Sequence, residues 1–237
     1  MTQRREFLRQ ASLIAAGSVA AGSVAAGSVA AGSVAADVRE AQAAPEAAPQ
    51  AQTRYDMTWA SRVTGKYRMA FDAPEVNDGT SLHQARSFLA GYAQVYGLTD
   101  ADLSAVLIIR HAAVPMVLGD ALWADGAFGE KEKLKDPVTG EPTKRNPFLN
   151  IPADAQHALS WPDGALDNLM ARGVIVLACD LALANVAGQI AARMKIPRTD
   201  ARQLITDHIL PGVVRMPTGI FATSHAQGVG CGMMYAG

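Results

Sequence analysis

Only two cysteines, Cys179 and Cys231, occur in the 237 residues. That scarcity excludes a disulfide-framed small fold and a four-thiolate zinc or iron–sulfur centre. Charge is also thin: 18% of residues are charged, against a usual share of about a quarter. Basic and acidic side chains nearly cancel, 21 against 22. There is no basic stripe for nucleic acid, no polybasic membrane patch and no acidic disordered tail. Aromatics are 6% of the chain, and much of the 49% apolar fraction is alanine, so the bulky core is modest. The dinucleotide fingerprint G-x-G-x-x-G, the phosphate loop G-x-x-x-x-G-K-[ST] and the nucleophile elbow G-x-S-x-G are all missing. His157, His208 and His225 share no metal-ligand spacing such as H-E-x-x-H. No metal site and no cofactor is expected. One soluble globular domain remains, preceded by an unusual N-terminus.

That N-terminus reads as an address. MTQRREFLR is followed by an uncharged run from Gln10 to Ala36, in which AAGSV stands four times in tandem from Ala15. A five-residue period suits neither helix nor strand, and the units lack large apolar groups to stack, so this is no solenoid. Arg4-Arg5-Glu6-Phe7-Leu8 resembles the twin-arginine export motif, and the weakly apolar run fits a route that carries folded proteins. Ala41-Gln42-Ala43 supplies an A-x-A-like cleavage site. The expected partner is therefore the Tat translocase, and the expected location the periplasm or beyond. The alternative is a membrane anchor retained over Ala11–Ala36, a stretch long enough to span about 30 Å but poor in Leu, Ile and Phe. Residues 1–43 are taken as the signal, and 44–63 as a linker rich at its start in Pro, Ala and Gln.

Beyond the linker, strands alternate with helices. Lys66–Phe71 is a strand candidate closed by Asp72-Ala73-Pro74. From Ser81 the apolar positions Leu82, Ala85, Phe88, Leu89, Tyr92 and Val95 have helical spacing, and Gly97 ends that helix. Ala105–Arg110 and Gly173–Ala178 are near-continuous apolar runs, as expected of strands covered on both faces. A helix is predicted over Val117–Trp123. Asp180 is taken to cap another, whose apolar face holds Leu183, Val186, Ala187, Ile190 and Met194. A further helix runs over Ala201–Ile209, then a strand over Gly212–Met216. Thr218 caps a short helix through Ala226, and a final strand covers Cys231–Tyr235. The pattern predicts an α/β fold, a three-layer α/β/α domain over 64–237 with a mainly parallel five-stranded sheet. The polar stretch 124–162 interrupts it and is either a lid, an interface element or a surface insertion.

Ligands of open parallel sheets bind beyond the carboxyl ends of the strands, where helix N-termini also point. Those ends carry Asp72, Arg110 and His111, Cys179, and Pro217-Thr218-Gly219. Cys179 and His111 form a nucleophile–base pair at adjacent strand ends. The helix start favours a Cys179 thiolate, while the neighbouring Asp180 carboxylate opposes it. Asp72, Arg110, Thr218 and Gly219 are the candidate ligand-binding residues. His83 reads as a surface or packing residue. Both cysteines also have bland roles, as small buried hydrophobes at strand ends.

The order of these elements, the His after the second strand, Val-Ile-Val-Leu-Ala-Cys179, and Gly212-Val-Val-Arg-Met-Pro-Thr-Gly219 followed by Gly230-Cys231 resemble the DsrE/DsrF-like family. The resemblance covers about residues 64–237 apart from the insertion. It implies a sheet of order 4-3-2-1-5 and assembly as a homo-oligomer. It further implies, for Cys179, the position at which sulfur-relay members carry a persulfide. The chain departs from those members in its export signal, its insertion and the Asp180 beside the thiol. In that strand order the switch lies between the first and fifth strands, at Asp72 and Tyr235, away from the thiol.

Two readings follow. The first is an exported protein handling sulfur or a thiol ligand through Cys179, with His111 as base or polarising group and an unknown small-molecule or sulfur-carrying partner. The second is a non-catalytic ligand-binding or assembly module of the cell envelope. Cys179 and Cys231, three inter-strand steps or roughly 14 Å apart, are not expected to form a disulfide.

Overall fold

The computed structural model describes residues 54–136, 139–151 and 162–237. The export segment with Arg4 and Arg5, residues 44–53 of the expected linker, and residues 137–138 and 152–161 of the insertion with His157 lie outside these.

Five strands, β1 (Tyr67–Ala73), β2 (Leu103–Ile109), β3 (Ile175–Cys179), β4 (Val214–Met216) and β5 (Gly232–Tyr235), form one sheet in the order β4-β3-β2-β1-β5. Every pairing is parallel. The fold is thus α/β with helices on both faces. All seven residues of β2 and all five of β3 are buried, which is why their sequences read as near-continuous apolar runs. Alternate side chains still go to opposite faces. Leu107 and Ile109 of β2 join one core with Val176 and Ala178 of β3, whereas Val106 and Ile108 join a second core with Ile175 and Leu177.

The first face carries most of the helices: α1 (Thr80–Tyr96), α2 (Asp120–Gly126), the short α3 (Phe128–Lys131), α4 (Leu166–Ala171), α5 (Asp180–Met194) and α6 (Arg198–His208). Their buried residues include Leu82 and Leu89, Trp123, Leu169, Leu183 and Ile190, and Ile205, all in the first core. Each such large apolar side chain contributes about 1.5–3 kcal/mol on burial. The second face is covered by α7 (Gly219–Gly228), through Ala222 and Ala226, and by Trp59 and Val63.

That last contact corrects the expected linker. Residues 58–62 form a 3-10 turn, and Trp59 is 1% exposed against the sheet. A single helix leaves much of the second face bare, and Trp59 with Val63 supplies the missing apolar cover. The composition of 44–53 does not extend to this segment.

Other boundaries also move. The helix expected over Val117–Trp123 starts later, as α2 over Asp120–Gly126, and a 3-10 segment, His111–Val117, precedes it. Pro115 inside the 3-10 segment has no amide to donate to an α-helical ladder. The insertion is partly core: Phe128, Leu134 and Phe148 are buried in the first core. Within it Asn146 donates from Nδ2 to the carbonyls of Met116 and Leu118. Such satisfied buried amides fix a loop's position.

Candidate functional site

The carboxyl ends of β2, β3 and β4 open onto a cleft of about 290 Å³. The register places Ile109 beside Ala178 and Cys179 beside Met216. Arg110 therefore leaves β2 alongside Cys179. Five residues expected from strand ends, Arg110, His111, Cys179, Thr218 and Gly219, all line this one cleft.

Cys179 is 7% exposed and caps α5, a role expected of Asp180. Its Sγ accepts the amide N–H of Ala182 at 3.4 Å. The sulfur thus sits at the N-terminus of a 15-residue helix, where the unpaired amides point.

Asp180 turns elsewhere. Its carboxylate, 6% exposed, accepts from Arg54 at 2.9 Å and Tyr55 Oη at 3.3 Å. It also pairs with Arg202, and with Arg215 at 3.6 Å. Three guanidinium groups balance the charge that the sequence sets against the thiolate.

Asp72 is not among the residues that line the cleft. It accepts from Arg110 Nε at 2.6 Å and Nη2 at 2.8 Å, a bidentate grip across the ends of β1 and β2. The hydrogen bonds to Asp72 raise the Arg110 pKa above its ordinary value against the opposing effect of burial, and the Asp72, Tyr235 and Cys179 charges add to the rise. Asp72 is thus a positioning residue for the guanidinium, whose Nη1 is left for other partners.

His111 is exposed and adopts φ +50°, a left-handed conformation that His tolerates better than most side chains. It turns the chain out of β2 into the 3-10 segment at the cleft. Thr218 caps α7, its Oγ1 accepting the Phe221 amide at 3.0 Å, as the sequence predicts.

Lys131, Asn185 and Gln189 also line the cleft, and the sequence reading missed all three. Lys131 Nζ lies 3.5 Å from Gln189 Oε1. A signal existed for two of them, since Asn185 and Gln189 stand four apart and put polar groups side by side on a mostly apolar helix. Leu181 and Ile220 add apolar walls, 56% and 69% exposed.

Cys179, at the end of β3, is two strands removed from β1 and the sheet's switch, where Asp72 pairs in register with Tyr235. His83 is exposed on α1, and His225 stacks on Phe221 with its edge to Trp59. Among the described residues no three His, Cys, Asp or Glu side chains converge as a metal site would need. No described helix is long and apolar enough to cross a membrane. Both cysteines are free, Cys179 in the first core and Cys231 in the second, on opposite faces of the sheet. No family model, curated protein or solved structure matches the chain.

Proposed function

We propose that this protein carries sulfur as a persulfide on Cys179, in the manner of the DsrE/DsrF-like proteins its sequence resembles. One observation carries the reading: the Cys179 Sγ accepts a helix N-terminal amide inside a cleft it shares with His111 and Arg110. A sulfur carrier needs a thiolate that forms near neutral pH, a proton acceptor and a pocket for the donor. In the proposed step the Cys179 proton passes to His111. The thiolate then attacks the outer sulfur of a persulfide donor R–S–SH, the donor's S–S bond breaks with its electron pair, and R–S⁻ leaves behind Cys179–S–SH. Export by the twin-arginine route through Arg4 and Arg5, and assembly as a homo-oligomer, belong to the same proposal.

Labelling tests it. In the folded protein at pH 8, iodoacetamide should modify Cys179, and a sulfane donor should add one sulfur atom to it. Neither mass change should appear in Cys179→Ser. A thiol that resists alkylation and accepts no sulfur would leave a non-catalytic binding or assembly module.

A further inference from the structure

The charged side chains that line the cleft are of one sign. Two of its lining residues, Arg110 and Lys131, are cationic, and none is acidic. The nearby carboxylates lie outside the lining: Asp72 behind Arg110 and Glu132 at 3.7 Å from Lys131 each pair with one of these cations, and Asp180 is held among its arginines. On Arg110, Asp72 occupies Nε and Nη2, so Nη1 keeps its hydrogens for a ligand. The cleft also receives the start of α7, whose first amides, Gly219 and Ile220, have no acceptor within the helix. Leu181, Ala182, Val186 and Ile220 form apolar walls beside these donors. A volume of about 290 Å³ fits a small molecule rather than a protein tail.

Resting on the persulfide-carrier reading, we infer that the cleft takes its sulfur from a small anionic sulfane compound, the simplest being thiosulfate. The Cys179 thiolate attacks the outer sulfur of ⁻S–SO₃⁻. The S–S bond breaks with its electron pair on the departing sulfite, and Cys179–S–S⁻ remains. Atoms and charge balance with no added oxidant or reductant. Arg110 Nη1, Lys131 Nζ and the two helix amides are the groups available to the sulfite charge as it develops.

The test uses the full chain and two alkylating reagents of similar size, anionic iodoacetate and neutral iodoacetamide. Peptide mapping gives the rate at Cys179 for each, and their ratio is compared with the ratio for glutathione. A cleft lined by one sign of charge raises the capture of the opposite sign by roughly 10-fold or more. The iodoacetate preference at Cys179 should therefore exceed that of glutathione about tenfold. It should fall several-fold in Lys131→Gln and collapse in concentrated NaCl. Lys66→Gln, next to the opposite end of β1, removes the same charge and should leave the preference unchanged. A ratio no higher than that of glutathione overturns the inference. So does loading of Cys179 by a neutral dialkyl trisulfide but not by thiosulfate, although the carrier reading then survives. If neither reagent labels Cys179 and neither donor loads it, the carrier reading fails and this inference falls with it.

Discussion

The stem of Arg110 lies against the bare Cα of Gly219. A Cβ built on Gly219 would come within 2.4 Å of Arg110 Cδ and 2.5 Å of its Cβ. Gly219→Ala should therefore push the guanidinium off its seat and destabilise the protein by about 1–3 kcal/mol, as overpacking does. Gly228, in the same helix, has nothing within 4 Å of a built Cβ. Gly228→Ala should be neutral or stabilising by up to about 1 kcal/mol. Urea unfolding of the two variants separates these outcomes.

Asp180 anchors a charge cluster whose partners differ in exposure, so their removal should not cost alike. Asp180→Asn strips the carboxylate from three guanidinium groups and should cost about 3 kcal/mol. Arg54→Ala removes a partner that is 71% exposed and should cost under about 1 kcal/mol. Equal effects in denaturant unfolding would contradict this ranking.

Burial pushes the Cys231 thiol pKa up, only partly offset by the charge of Arg68. The folded state thus prefers the protonated thiol. Its contribution is complete below the unfolded-state value of about 8.5 and is lost as pH rises from there through the folded value. Wild-type stability should accordingly fall more steeply above about pH 8.5 than that of Cys231→Ala. Parallel unfolding curves at each pH would refute it.

Arg4 and Arg5 should be read by the export receptor through their guanidinium forks, which Lys lacks. In the Arg4→Lys, Arg5→Lys double variant, unprocessed precursor should collect in the cytoplasm. Normal processing of that variant, followed by immunoblot of cell fractions, would defeat the export proposal. N-terminal sequencing of the wild-type product should begin near Ala44.

Several of these features were legible because they depend on local pattern. The runs in β2 and β3 are near-continuously apolar since both faces are covered, and that alone marks them as inner strands. The meeting of Arg110, His111, Cys179, Thr218 and Gly219 follows from a general property of parallel sheets, whose strand ends open on one side. The strand order came from the family resemblance and not from any residue. Trp59 stayed hidden because nothing local says that the second face has only one helix. The partners of Asp180 lie at positions 54, 202 and 215, too far apart in the chain for spacing to join them. Lys131 reaches the cleft only because Phe128 and Phe148 pull the insertion into the core.

Helix α7 is the connection from β4 to β5, which lie at opposite edges of the sheet, and it touches all five strands on the way. Four inter-strand steps of about 4.8 Å make a width of about 19 Å. Ten helical residues reach about 15 Å. The helix therefore covers most of that width, and Pro217-Thr218 and residues 229–231 supply the rest of the connection. One extra residue would add about 1.5 Å and turn everything beyond it by about 100°. Either Thr218 and Gly219 would be dragged from the mouth of the cleft, or β5 would slip against β1. The length of α7 thereby gauges two things together, the closure of the sheet and the shape of the cleft wall.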